Sequence, residues 1–569
     1  MQPKMKNCQN CKKDFTVEPE DFKFYEKMKV PPPTWCPGCR LERRMSFINT
    51  LNIYWRNCDK CGKRTLSIYP PEQKIIVYCQ PCWWKDDWDG TEYGMDYDPS
   101  RPFLEQVKEL SNKTPYTALE SLYTSIKNSD YSNAIAWCKD CYLVFWADYC
   151  DSVYHSSFLN GAKYSVDCLR SHESELSYES IGVTKCYQTF FSEECDTCVD
   201  MWFSRNCYSC TNCIGCVNLR GASNCIFNVK YSKEEYVEKL KEFSLDSWTN
   251  LCKFREEAYK FWFTKPYREY SGNSLNKNVT GEYVYKSKNS KEMYICKNAE
   301  DCKWCQFITV ASAKDCWDYS GWGNNSSLIY ECSNVGEDAN NIRFSCLCTS
   351  DILNLQYCIW SISGKNNFGC VNLKRKKYCI LNKEYSKEEY EKLESQIIEN
   401  MKMNPYIDKL GRKFFYGEFF PPEMSKFPYN KSNAMKFLPK TKETALAEGY
   451  NWDGEENSVS KYNISKLVDS LPERIIDTKE DILNEVIGCR NCGKGYKIAQ
   501  GELNLLRKMN LPVPHECPKC RDNKRFARLN KIKLHNRTCA KCSVNIYTPY
   551  APDRPEIVYC VKCYQAEFL

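Results

Sequence analysis

Histidine is almost absent from this chain, with four residues in 569 against 39 cysteines. No apolar run approaches the roughly 18 residues of a membrane helix. The longest, "YLVFWA" at 142–147, reads as core, so no membrane association is expected. The opening "MQPKMKNCQN" has no apolar stretch of the secretory kind. The expected location is therefore the reducing cytoplasm, where thiols stay free or bind metal. An odd cysteine count argues against complete disulfide pairing. A chain of this length has room for several domains and a sizeable core without disulfide support. There is no nucleophile–base pattern, no phosphate loop and no Gly-rich nine-residue calcium repeat. His155, His172, His515 and His535 stand isolated. No catalytic residue and no small-molecule cofactor is expected, and the chain reads as non-enzymatic.

The two ends of the chain are copies of each other. Residues 8–82 hold four CxxC pairs: Cys8/Cys11, Cys36/Cys39, Cys58/Cys61 and Cys79/Cys82. Residues 489–563 hold four more: Cys489/Cys492, Cys517/Cys520, Cys539/Cys542 and Cys560/Cys563. One shift of 481 superimposes all sixteen, and "EKMKVPPPTWCPGCR" (26–40) then lies over "RKMNLPVPHECPKCR" (507–521). Two thiolates of a CxxC reach one metal from a tight turn, and a second CxxC completes a tetrahedral four-thiolate site. The 17–24 residues between pairs leave room for a hairpin. Four structural zinc ions per chain are expected. Sequential pairing is the preferred arrangement, with cross-braced pairing as the alternative. All ligand positions are then filled, which leaves none for a catalytic water.

A helix is expected to start at the second CxxC of the first site in each module. On it Arg40, Arg43 and Arg44 share a face, as do Arg521, Lys524, Arg525 and Arg528. A basic stripe of this kind suits phosphate contact; an ordinary solvated helix face is the competing reading. The formal charge of +7 is unevenly spread: +5 over residues 1–90, −7 over the middle and +9 over 484–569. Each four-thiolate zinc centre carries about −2. Four of them take the chain to about −1, the first module to about +1 and the second to about +5. The C-terminal module is then the better candidate for nucleic acid.

The 23 remaining cysteines lie in a repetitive centre of phrases such as "KDCYL", "RNCYS", "SNCIF" and "KYCIL", in which a polar residue precedes cysteine. Many cysteines step by nines, for example Cys198, Cys207, Cys216 and Cys225. A fixed short period with Val, Ile, Tyr, Phe and Trp between turn residues predicts a parallel β-helix. One coil is expected to be a small multiple of nine. A longer repeat of about 154 returns "GCVNLR" (215–220) as "GCVNLK" (369–374) and "YSKEEY" (231–236) at 385–390, and "SELSYE" (174–179) is echoed by "SSLIYE" (326–331). The β-helix is thus expected in two halves. Each ends in a capping helix, with Ser232/Glu235 and Ser386/Glu389 forming capping boxes. The central cysteines read as buried reduced thiols. The dense set Cys207, Cys210, Cys213 and Cys216 is a candidate for a fifth metal, with burial as the favoured reading.

The expected order is a double zinc module (1–90), a helical linker (91–129), β-helix half 1 with its cap (130–245) and a connector (246–285). Half 2 with its cap (286–400), a Pro-rich and helical linker (401–484) and a second double zinc module (485–569) follow. The phrases "KMKVPPPTWCPGCR", "VYCQPCWW", "GCVNLR", "YSKEEY" and "LPERIIDTKEDILNEVIGC" resemble the large cysteine-rich proteins, with zinc-ribbon or treble-clef modules and a β-helix, found widely in candidate-phyla-radiation bacteria. The resemblance covers nearly the whole chain and implies a cytoplasmic bacterial protein with zinc modules flanking a repetitive centre. It implies no activity.

Two functions compete. The first is nucleic-acid binding, with RNA or a ribonucleoprotein favoured, through the basic helices and through Trp35, Tyr54, Trp55, Tyr69, Trp83 and Trp84 stacking on bases. Module core is the plainer reading of most of those rings. The second is a protein-binding scaffold that uses the long β-helix surface, with the zinc modules as caps or docking heads.

Overall fold

Period three governs the centre of the molecule. From Cys138 to Cys225 the buried positions recur every third residue, as in Cys138, Cys141, Val144, Ala147, Cys150 and Val153. The residue before each is commonly left-handed, for example Trp137 at φ 51°, Asp140 at 52°, Asn206 at 53° and Asn212 at 54°. Left-handed backbone disfavours a Cβ, and Asn, Asp and Gly bear it best. This favours the polar residue that precedes many of these cysteines: it makes the corner that aims the thiol inward.

The computed structural model describes residues 2–272, 275–454 and 463–568. The part of the expected linker at 455–462 lies outside the described residues. Two compact units combine segments distant in sequence. One holds 1–119, 270–454 and 531–534; the other holds 120–269, 455–530 and 535–569.

In the second unit, four-residue strands from Asp151–Tyr154 to Ser223–Ile226 form a parallel sheet in chain order. Each register step is twelve residues, as in Lys163↔Glu175↔Tyr187↔Val199↔Thr211↔Ser223. Bridges outside the named strands repeat the same step, for example Ile181↔Glu193↔Arg205↔Val217. The chain therefore returns beside itself every twelve residues, with four inward positions per return. This corrects the expected multiple of nine. Cysteines nine apart are three inward positions apart, one short of a full return. In the first unit the parallel sheet from Lys277–Tyr285 to Lys377–Ile380 is less regular. Its steps include eleven (Lys277↔Lys288), fourteen (Gln306↔Ser320), thirteen (Ala313↔Ser326) and twelve (Lys365↔Lys377).

Inward Cys and Ser make the same hydrogen bonds. The Cys186 thiol donates to the carbonyls of Thr184 (3.2 Å) and Cys195 (3.4 Å). The Ser180 hydroxyl donates to Tyr178 (3.1 Å) and Thr189 (3.0 Å). Both also accept from the amide twelve residues on: Cys198 Sγ from Cys210 N at 3.4 Å, Ser204 Oγ from Cys216 N at 3.1 Å. Cysteine here is a small, apolar stand-in for serine that can make the same bonds.

Both sheets end alike. A short antiparallel strand, Val229–Lys230 or Lys383–Glu384, folds back on the last parallel strand. Asn228 then takes the place of the missing next strand. Its amide oxygen accepts from Val217 N (2.8 Å) and its nitrogen donates to Val217 O (2.9 Å). Asn382 does the same to Val371, at 2.8 and 2.8 Å. The helices Lys233–Phe243 and Lys387–Met403 follow, each opened by the expected capping box, Ser232/Glu235 and Ser386/Glu389. They bury Tyr236 in one case and Tyr390, Ile397 and Met401 in the other. Together these devices close an edge that would otherwise recruit another strand.

Candidate metal centres

Each first CxxC sits in the turn of an antiparallel hairpin: Lys4–Asn7 with Asp14–Val17, Tyr54–Asn57 with Arg64–Ser67, Ile487–Gly488 with Gly495–Tyr496, and His535–Thr538 with Asn545–Thr548. The turn needs a left-handed residue directly after its second cysteine. Gly62 (φ 72°) and Gly493 (69°) supply it freely, while Lys12 (60°) and Ser543 (61°) are held there. Each second CxxC opens a helix, Pro37–Met45, Gln80–Trp84, Pro518–Arg528 or Val561–Phe568.

The thiols converge in four groups: Cys8/Cys11/Cys36/Cys39, Cys58/Cys61/Cys79/Cys82, Cys489/Cys492/Cys517/Cys520 and Cys539/Cys542/Cys560/Cys563. Within each group all sulfurs lie within 4.8 Å of one another. This is the sequential pairing; the cross-braced alternative is not what the chain adopts. Facing sulfurs are 3.8 Å apart in Cys11/Cys36, Cys492/Cys517 and Cys542/Cys560, and 3.9 Å in Cys61/Cys79. A disulfide needs about 2.05 Å. A tetrahedron with metal–sulfur bonds of about 2.3 Å has edges of about 3.8 Å. The four groups can each hold a metal ion.

The surroundings of the sulfurs repeat as well. The amide that opens each second CxxC donates to the first cysteine of the group, at 3.2 Å in all four: Cys36 to Cys8, Cys79 to Cys58, Cys517 to Cys489, Cys560 to Cys539. Asn10 donates to Cys39 and Asn491 to Cys520, both at 3.3 Å. Such donors stabilise thiolate charge and fix ligand orientation. Among the described residues, Cys207, Cys210, Cys213 and Cys216 form no such group. They are buried inward positions within one twelve-residue return.

Most side chains of the two basic stripes are buried. In the first unit Arg40, Arg43 and Arg44 are at most 1% exposed. Arg40 Nε and Nη2 donate to Asp318 Oδ2 at 3.0 and 2.7 Å. Arg44 Nη1 donates to Asp318 Oδ1 at 3.0 Å. Arg43 bonds Glu331 (2.6 Å) and Glu418 (3.2 Å) while its guanidinium lies 4.3 Å over Trp35. Three cations thus meet three carboxylates, two of them on the parallel sheet. In the second unit Arg521 bonds Asp167 and Glu502. Arg525 bonds Asp167 (2.6 Å) and the His155 carbonyl (2.7 Å). Arg528, partly exposed, donates to Glu193 at 2.5 Å and stacks on Tyr259. Lys524 points outward and pairs with Glu516 at 2.5 Å. All of these side chains, Lys524 included, face carboxylates of their own unit. With Arg40, Arg43, Arg44, Arg521 and Arg525 buried on carboxylates, each stripe forms an ion-paired key into its own unit, while Lys524 and Arg528 keep exposed surface.

The carboxylates that receive the key were missed, although a signal was present. Glu331 and Glu179 are the last residues of the echoed "SSLIYE" and "SELSYE", and Glu179 pairs with Arg255 (3.1 Å) beside Arg528. Asp21 and Glu502 are 481 apart, and each is bonded by the residue that opens its helix (Glu18 N, 3.0 Å; Ala499 N, 3.4 Å). Each also meets a basic side chain from the strand-rich core of its unit: Lys303 on Asp21 at 2.5 Å, and His155 Nε2 on Glu502 at 3.0 Å. Burial pushes both up. For Asp21 it prevails over Lys303. For Glu502, His155 and Arg521 together reverse it and hold the carboxyl down at about 2.

Of the candidate stacking aromatics, Trp35, Tyr69 and Trp83 are fully buried, and Trp55, 41% exposed, lies under Arg64 at 4.4 Å. Tyr54 and Trp84 are half-buried. Of the histidines, His155 is buried on Glu502 and His515 stacks on Trp248 at 3.8 Å. His172 contacts the Asn160 carbonyl at 3.2 Å, and His535 lies in its module's hairpin. No described helix is long and apolar enough to cross a membrane. Comparison with protein families, curated proteins and solved structures finds no match to this chain.

Proposed function

We propose that this chain is a non-enzymatic, zinc-stapled scaffold of the reducing cytoplasm, in which each of two β-solenoids carries a docked zinc module. The solenoid reading rests on parallel strands that pair in chain order at a near-constant step with small side chains inside. The hairpin-then-helix arrangement of the thiols suits treble-clef modules. Four thiolates at tetrahedral spacing suit zinc, which would complete its coordination there and serve structure.

The observation that carries the scaffold reading over nucleic-acid binding is the direction of the arginines. Zinc bound by Cys8, Cys11, Cys36 and Cys39 would fix the start of the helix that presents Arg40, Arg43 and Arg44 to Asp318, Glu331 and Glu418. The equivalent site would do the same for Arg521 and Arg525. The modules then act as docking heads, and the outer solenoid surface is what remains for a protein partner. The test is binding of the zinc-loaded chain to labelled cellular RNA across a salt series. The scaffold reading expects no log-linear salt-dependent binding. Tight binding with a steep salt slope that Lys524→Glu reduces would return the nucleic-acid reading to first place.

A further inference from the structure

A cavity of about 220 Å³ opens in the first unit where three segments meet. The "PEQKII" turn contributes Gln73, Lys74 and Ile75, the helix Phe103–Lys113 contributes Lys108 and Asn112, and the Pro-rich segment contributes Glu423 to Lys426. Three lysines face it against one carboxylate. That carboxylate is already engaged: Glu423 accepts from Lys108 (3.2 Å) and from Tyr406. Lys108 is further bonded to the Tyr406 hydroxyl at 3.1 Å. Lys426 is half-buried, and the hydrogen bond it makes is to a neutral group, Asn112 Oδ1 at 2.6 Å. Its ammonium lies 5.8 Å from the Tyr116 ring centroid. The Gln73 side-chain oxygen is buried on the same wall with no hydrogen-bond partner. The O and N of such an amide exchange freely on rotation, so the group can turn a donor inward.

A half-buried ammonium without a counter-charge, beside a second ammonium and an unused amide, is an incomplete arrangement. We propose that this cavity is a binding site for a small oxyanion, a phosphate or carboxylate group, held by Lys426 and Lys74 with the Gln73 amide as a further donor. The size suits a small anion: 220 Å³ takes one phosphate group with its waters. Burial, with the Lys108 charge adding to it, holds the Lys426 amine at about 8. Anion binding should therefore take up a proton and weaken above that pH. The site is independent of the scaffold reading, since it uses neither the thiol groups nor the arginine key.

The test is competitive labelling of the full zinc-loaded chain. Trace acylation with an amine-reactive ester at pH 8, read residue by residue by mass spectrometry, reports the accessibility of each lysine. Inorganic phosphate should slow Lys426 acylation several-fold at millimolar concentration, with Lys524 as the internal control. Acetate at the same ionic strength distinguishes a carboxylate source from a phosphate source: protection by either anion supports the site. Equal protection by chloride, or none by phosphate and acetate, overturns it. As a second reading, calorimetric titration with phosphate should lose about tenfold or more in affinity in Lys426→Gln, the scale of one charge-assisted hydrogen bond. Unchanged affinity in that variant places the anion elsewhere and also overturns the proposal.

Discussion

The two arginine keys occupy equivalent places in duplicated modules and are built differently. In the first unit three buried arginines meet three carboxylates, and the third carboxylate, Glu418, comes from the Pro-rich segment and also accepts from the Thr34 amide and hydroxyl (2.6 and 2.6 Å). In the second unit the position of Arg43 is taken by Lys524 and that of Trp35 by Glu516, and these two pair with each other at the surface. The network is instead completed by Glu502 with His155 and extended along the helix by Arg528. Duplication preserved the anchor, in which Arg40 and Arg44 or Arg521 and Arg525 share one aspartate. The flanking charges were re-satisfied by whatever each copy had nearby. An enclosed guanidinium must be paired, but the source of the carboxylate is free to change.

The sharpest way to break this comparison is to remove the shared aspartate. Asp318→Ala leaves Arg40 and Arg44 buried without their main partner, and should cost about 3–5 kcal/mol, the usual penalty for orphaning a buried charge. It should be seen as lost amide-exchange protection in Pro37–Met45, with Pro518–Arg528 unchanged. Asp167→Ala should do the converse. Equal loosening of both helices by either variant would contradict two separate keys.

A smaller effect separates the flanks. Arg43→Lys loses the two-pronged contact and the stacking on Trp35, and should cost about 1–3 kcal/mol. Lys524→Arg, at an exposed position, should change stability by less than about 0.5 kcal/mol. Thermal unfolding of the two variants side by side checks this.

The equivalent acids also differ in pH response. Glu502 is held below the ordinary carboxylate range, so its contribution is fully present above about pH 4.3 and is lost as pH falls towards 2. The urea midpoint of the native chain should exceed that of Glu502→Gln at pH 6, and the gap should narrow between pH 5 and 3. Asp21 is raised by burial, so Asp21→Asn should show no such narrowing. Release of any bound metal on acidification should weaken native and variant chains alike and drop out of the difference.

The smallest expected effect concerns the thiols of the parallel sheet. Cys210→Ser should be tolerated within about 1 kcal/mol, because serine already makes the same bonds at Ser180 and Ser204. Cys39→Ser, by contrast, should abolish one metal site. Metal content and melting temperature of the pair distinguish the two kinds of cysteine.

The thiol sites were the most legible part of the sequence, because the CxxC turn and the helix behind it are set by residues close in the chain. The helix caps at Ser232 and Ser386 were legible for the same reason. The twelve-residue return was not. The cysteines mark inward positions, and inward positions recur every three residues, so a spacing of nine is compatible with several returns. Only the pairing between strands selects one. The fate of the arginines was also hidden. Their stripe is a local pattern, but Asp318 and Glu331 are more than 270 residues from Arg40, and no local signal says which face of a helix meets a distant carboxylate. The Asn228 and Asn382 plugs are visible in hindsight as the same asparagine preceding "VKYSKEEY" and "KEYSKEEY".

The measurement that bears most directly on the account is the metal content of the intact chain by native mass spectrometry, read before and after chelation and alongside protease sensitivity of Pro37–Met45 and Pro518–Arg528. The account predicts four zinc ions, with both helices becoming cleavable once they are removed. A fifth ion, a count that falls in Cys207→Ser, or helices that stay protected without metal would contradict it.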